Sequence, residues 1–306
     1  MSGAAVDLPL AAPTVVPTRV PGAGRLALFL LLAPALLWLG LLIVLPHVEI
    51  LILSFSERVA PRIYAPGFAN YLEFFTEPLY WRTFARTALM SILVTAITLV
   101  LAFPIALYIA RVAQGRVKAM LLLLCLLPFW VSELVRTLGW MIILRETGLL
   151  SYLLQAAGLA AGPVEFLYND GAVVLGLVYG GLLFMIVPLA NALESLDPAV
   201  VEAGYDLGGS RWTVLRRIVI PHAMPGIVAG SIIVFMLTVG NFATPVLLGG
   251  KNGLWFTEQI YAQFITRFNW PQGAAFGMLL LVLSSAIVWA GLRLTGQSLG
   301  STLRQA

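Results

Sequence analysis

Charge is the first thing this sequence lacks. Asp, Glu, Lys and Arg make up 10% of its 306 residues, where soluble domains carry roughly 25%. A chain so poor in charge cannot clothe a globular surface in water, so lipid must surround it. Cysteine is scarcer still. The single Cys125 excludes an internal disulfide, and with two histidines there is no Cys/His cluster to hold zinc. Cys125 lies in an apolar run and reads as a buried apolar residue. The net charge of +4 comes with no basic stripe and no interleaved aromatics, which excludes nucleic acid as a partner.

Nucleotide and catalytic signatures are missing too. No G-x-x-x-x-G-K-[ST] occurs; the nearest string, "GGKN" at Gly249 to Asn252, lacks the hydroxyl that a P-loop needs for magnesium. There is no H-E-x-x-H, no G-x-S-x-G and no Cys/His nucleophile pair. The chain is expected to bind no cofactor and to catalyse nothing. Any ATP–Mg used would be used by a partner.

What is present is grease. The chain is 60% hydrophobic, with a mean hydropathy of +0.95. A bilayer core about 30 Å thick needs about 20 apolar residues in a helix, and six runs qualify: 26–46, 88–110, 119–144, 172–193, 223–250 and 273–292. Their lengths favour helices over barrel strands. The expected fold is all-α and polytopic, with six spans. Residues 1–25 and 297–306 read as tails without a fold of their own. Lys and Arg in the loops place ten charges on the side of the N-terminus and seven opposite. The compact "RVAQGRVK" and "RWTVLRR" stretches both fall in the larger set, so both termini are expected in the cytoplasm.

Some polar residues sit inside the runs. Glu133 and Arg136 each cost about 2.5–3.5 kcal/mol at a helix centre. Three apart, they share a face. They form either a local ion pair reaching for the headgroups or part of a solute pathway. Asn241 and Thr244 precede Pro245. They either repair the backbone bond that the proline removes or mark a broken helix lining a pore. Trp130 and Trp140 read as belt or packing residues, with a solute cage as the alternative. Pro104, Pro128 and Pro188 are expected to kink their spans.

The stretch "SLDPAVVEAGYDLGGSRWTVLRRIVIPHAMPG", Ser195 to Gly226, is longer and more charged than a hairpin connection requires. Asp197-Pro198 is a cap followed by proline at the first helical position. Gly208-Gly209 ends that helix, and Ser210 caps a second short one. Pro221 and Pro225 bracket the return to the fifth run. Val200, Ala203, Gly204 and Leu207 share one face; Trp212, Leu215, Ile218 and Val219 share another. Neither helix could stand alone in water.

"EAGYDLGGSRWTVLRRIVIP" resembles the EAA signature of ABC-importer permeases: Glu-Ala-Ala, three residues, Gly, nine residues, Ile-x-Leu-Pro. Here it is Glu202, Ala203, Gly204, then Gly208, Ile218, Ile220 and Pro221. Gly204 and Ile220 depart conservatively from the pattern. "LPFWVSELVRTLGW", "NFATPVLLGG" and "NWPQGAAFG" are similar to the first permease subunit of spermidine/putrescine-type importers, and the likeness covers roughly 26–295. That branch has an Arg at the place of Arg136 but is not expected to have an acid at that of Glu133.

The resemblance implies a type I importer fold in the plasma (inner) membrane. It implies a second permease subunit beside this one, a cytoplasmic ATPase dimer and an extracytoplasmic solute-binding protein. It makes 197–221 a coupling loop that docks in the ATPase, with Glu202 as a polar tether, Asp206 beside it, Gly208 as the turn, and Ala203, Gly204, Trp212, Ile218 and Pro221 shaping the contact. A transporter driven by an ion gradient is the alternative. It would be expected to show embedded acids and paired broken helices in two related halves. An intramembrane enzyme would need a catalytic set that is absent.

Overall fold

The structure, a computed structural model, describes residues 23–60, 63–250 and 254–296. The expected tails fall outside these residues, except 23–25, which are helical. The described residues fall into two compact units, divided between Glu49 and Ile50. Among the described residues, five helices are long and apolar enough to cross a membrane, or six if one sharply bent pair is a single span.

The first run is helical beyond Pro46, where the sequence pattern ends it. Helix α1 (Ala23–Leu39) passes through a π-turn at Gly40–Val44 into α2 (Leu45–Ser54). The wide turn comes just before Pro46, so the missing proline N–H breaks no tight ladder. A short antiparallel hairpin follows, β1 (Ser56–Ala60) with β2 (Ile63–Pro66). It is the only departure from an all-helical chain among the described residues.

The second unit is built on three long helices. After α3 (Ala69–Thr76), α4 (Pro78–Arg111) starts with proline at its first position. Helix α8 (Asp170–Glu194) runs the same way. Arg86 pairs with Asp170 near the start of both helices, and Arg111 donates to the Leu196 carbonyl at 2.7 Å past their other ends. Helix α11 (Ile220–Val239) returns between them. In lipid, apolar side chains gain little by hiding from their surroundings, so close packing has to hold such helices together. The α8–α11 crossing shows how. A Cβ on Gly226 would fall 2.6 Å from the Pro188 carbonyl oxygen, and one on Gly230 would fall 2.8 Å from Met185 Sδ. Gly226 and Gly230 are four apart, a G-x-x-x-G that lets the backbones touch. Around the crossing lie Ala102, Ala106, Ile109, Leu189, Leu193 and Ala223, all buried.

The run 119–144 is not one straight span. Helix α5 (Gly115–Leu126) tightens into a 3-10 turn at Leu127–Trp130, and α6 (Glu133–Leu144) then sets off after a bend of 93° between the two halves. Pro128 opens the tight turn. Ser132 then starts a fresh helix, its Oγ accepting from Val135 N at 3.4 Å. Helix α7 (Leu149–Ala156) completes the second half.

Ser210 also caps a helix that is not short. The turn α10 (Arg211–Val214) passes through a π-turn at Leu215–Val219 into α11, giving one run from Arg211 to Val239. Again a π-turn precedes a proline, here Pro221. This run ends at Gly240, and a new π-turn begins at Pro245 and ends at Gly249. Span five is therefore broken where the sequence pattern reads one run, 223–250. Beyond it, α12 (Phe256–Tyr261) and α13 (Trp270–Thr295) pack on a cluster of Phe74, Phe84, Phe256 and Phe276, whose rings meet mostly edge to face.

Candidate functional site

The two breaks meet. Asn241 Nδ2 donates to Glu133 Oε1 at 2.6 Å. Asn241 Oδ1 accepts from Thr244 N at 3.0 Å, and its carbonyl accepts from Thr257 Oγ1 at 2.9 Å. The asparagine thus caps the new turn below Pro245 and reaches across to the first turn of α6. The proline starts a helical turn here; it does not interrupt one.

Between the breaks lies a cavity of about 220 Å³. Glu133, Arg136, Trp140, Asn241 and Thr244 all line it; Trp130 does not, and is 77% exposed. Glu133 and Arg136 share the cavity but do not pair. The ion pairs among the described residues are Arg86–Asp170 and Lys118–Glu194. Glu133 turns to Asn241 instead. Arg136 lays its guanidinium over the Phe129 ring, 4.8 Å from the centroid. There its Nε and Nη1 are shut from solvent without a partner.

Several wall residues were not singled out from the sequence. Phe129 meets Phe184 edge-on at 4.9 Å, and Trp140 meets Tyr179 likewise at 5.5 Å. Gly180 leaves the floor open, since a Cβ there would meet nothing within 4 Å. Gly176, one turn earlier, is filled instead by Leu248 and Thr244. Two glycines four apart in an apolar run were the available signal. No group of three or more metal-ligating side chains occurs among the described residues.

The second feature stands at the opposite end of the three long helices. Asp197 Oδ1 accepts from Ala199 N at 2.9 Å and starts α9 (Pro198–Asp206). The helix closes with paired bonds, Gly209 N to the Gly204 carbonyl and Gly208 N to the Tyr205 carbonyl. Gly208 takes φ +80°, the left-handed residue that such a closure requires. Ser210 Oγ then accepts from Thr213 N at 3.2 Å. Gly204 and Ile218 face each other, tying α9 to the long helix. Glu202, Ala203, Asp206 and Pro221 are exposed. So are Val200, Tyr205, Leu207 at 90% and Trp212 at 66%. Lys118–Glu194 at 2.9 Å and Ser195 Oγ to His222 Nε2 at 2.9 Å brace the base of this segment.

Polar groups at two facing breaks within apolar runs carry a cost in lipid that a purely structural bundle would avoid. The fold is that of a membrane transport permease. Residues 102–293 match the family described as binding-protein-dependent transport system inner membrane component. The chain is 35% identical over 262 residues to the spermidine/putrescine transport system permease protein PotB of Salmonella typhimurium (strain SL1344), covering 84% of this chain and 91% of that one. It is 34% identical over 280 residues to the inner membrane ABC transporter permease protein YdcU of Escherichia coli (strain K12), covering 86% and 87%. In fold it is similar to a chain of a bacterial alginate ABC transporter in complex with an alginate pentasaccharide-bound periplasmic protein, with a TM-score of 0.75, 20% identity, and 90% and 98% covered. The chain belongs to the binding-protein-dependent inner-membrane permeases of ABC importers, and its fold is their type I fold.

Proposed function

We propose that this chain is one of two transmembrane subunits of an ATP-driven importer, and that its solute is polyamine-like. The carrying observation is the Asp197–Pro221 segment. Each of its two helices starts on a side-chain cap, yet Leu207 between them and Trp212 at the start of the Arg211–Val239 run stand exposed. Apolar side chains on a rigid knob suit a groove on another protein. That protein would be a cytoplasmic ATPase dimer, which binds and splits ATP–Mg. A second permease, a paralogue, would complete the pathway, and an extracytoplasmic binding protein would deliver solute. Both termini and α9 would lie in the cytoplasm. The polyamine class rests on the likeness to spermidine/putrescine permeases.

Coupling would work through rigidity. Gly204 packs on Ile218, and Ile218 belongs to the run that ends at Val239, just before Asn241. Closure of the ATPase dimer would move α9, and α9 would carry the long helix and its break at the cavity with it.

The test is reconstitution in nanodiscs with candidate ATPase and binding-protein partners. Solute-stimulated ATP hydrolysis is compared for wild type, Glu202→Ala and Gly208→Trp. Both variants should assemble and lose stimulation. Intact transport in both, or solute movement by the wild type without an ATPase, would sink the reading and favour a gradient-driven transporter.

A further inference from the structure

We propose that the cavity between the helix breaks is a station for a primary alkylammonium group, held by Glu133. The proposal rests on the importer reading for its physiological meaning, though its binding chemistry stands alone. Glu133 spends Oε1 on Asn241 and leaves Oε2 with no hydrogen bond among the described residues. Among the described residues it is the only carboxylate lining the cavity. One carboxylate without a second acid does not make a site for a divalent metal, but it suits a single ammonium, which offers three N–H donors.

The other walls match an alkylamine. Trp140 and Tyr179 present rings that attract a cation. Leu177 and Leu237 give the carbon stem an apolar surface, and Gly180 leaves the room for it. Arg136 does not turn the site into one for anions. Two of its three guanidinium nitrogens are shut against protein beneath the Phe129 contact, so it cannot offer a two-pronged fork to a carboxylate. Its charge still repels an incoming cation. The station therefore binds weakly, as a pathway requires: a solute must leave it as readily as it enters.

The variant that isolates the charge is Glu133→Gln. A glutamine keeps an oxygen to accept from Asn241, so the tie between the breaks survives and only the charge goes. Titration calorimetry on the full chain in lipid nanodiscs would use putrescine, spermidine and the uncharged isostere 1,4-butanediol. Wild type should bind the amines and not the diol. E133Q should lose about 10- to 100-fold in affinity, E133D should stay within a few-fold of wild type, and R136Q should bind more tightly. Unchanged binding in E133Q, equal binding of the diol, or no amine binding by wild type would each overturn the station. A lower melting temperature for E133Q than for E133D would overturn it too, by making the residue structural.

ATP-driven uptake by the assembled importer is read separately. Uptake that needs ATP but ignores E133Q leaves the importer reading standing and removes the station. Amine binding that depends on Glu133 in a chain that never responds to ATP does the reverse.

Discussion

Gly204 is in contact with Ile218 across the gap between α9 and the long helix: a Cβ on the glycine would fall 2.5 Å from Ile218 Cδ1 and 3.4 Å from Val214 Cγ2. Backbone and side chain thus share a space sized for no more than a hydrogen. The close neighbour is the far end of a flexible side chain, so the contact can adjust.

A double-mutant cycle reads this contact directly. Gly204→Ala gains helix propensity but pushes on Ile218, so alone it should shift stability by less than about 1 kcal/mol. Ile218→Val removes the methyl that is in the way and should cost about 0.5–1.5 kcal/mol. Together they should be more stable than their sum by about 0.5 kcal/mol or more. Denaturation in detergent measures all three. Additive effects would mean that the two residues do not touch.

Gly208 makes a different kind of demand. Its φ is +80°, but a Cβ there would meet nothing within 4 Å. The cost of replacing it is therefore all backbone and should not depend on size. Gly208→Ala and Gly208→Leu should each loosen the turn by about 1 kcal/mol, with Gly208→Asn costing less. Hydrogen exchange at the Gly208 and Gly209 amides should quicken about fivefold in the first two. A cost that grows with side-chain volume would contradict this.

Gly226 and Gly180 should part company under the same substitution. Gly226→Ala drives a methyl to 2.6 Å from the Pro188 carbonyl oxygen and 3.1 Å from Leu189 Cα, backbone that cannot step aside. It should destabilise by about 1–3 kcal/mol. Gly180→Ala meets open cavity and should be neutral or stabilising by up to about 1 kcal/mol. Thermal melts of the two purified variants decide it; equal melting temperatures would refute the close α8–α11 approach.

Five of the six expected spans are long apolar helices and the sixth is a sharply bent pair; that much was legible because hydropathy over about 20 residues is a strong signal. The breaks inside spans were less so. Ser132-Glu133, a cap residue followed by an acid, is a helix-start pattern. Inside an apolar run it reads as two polar residues in a continuous helix. Likewise Ser210 was legible as a cap, but the helix it starts runs through Pro221, because the π-turn at Leu215–Val219 takes up the missing donor. In the cavity, Glu133, Arg136, Asn241 and Thr244 drew notice as polar residues in lipid. Phe129, Tyr179 and Phe184 did not, since the face of a uniformly apolar helix that looks inward is decided by its neighbours. The bond from Asn241 to Glu133 joins residues 108 apart, and no local pattern encodes it.

Glu258 should give the protein a pH dependence of defined sign. The residue lies on α12, outside the membrane-crossing helices, and its Oε1 is buried without a partner. Burial pushes its carboxyl from the usual 4.5 up to about 7, against the opposing pull of the Arg86 guanidinium, which is itself paired with Asp170. Below pH 4.5 the group holds its proton folded or unfolded, and its full contribution is present. As pH rises from 4.5 to 7 the unfolded chain loses the proton while the folded one keeps it, so stability falls. Above 7 both forms are ionised and the loss levels off. Glu258→Gln should flatten the curve across that window and be more stable than wild type at pH 8. Unfolding midpoints from pH 4.5 to 8 make the comparison. Parallel curves for the two proteins, or a wild type that gains stability relative to the variant as pH rises, would mean that Glu258 is ionised in the folded state.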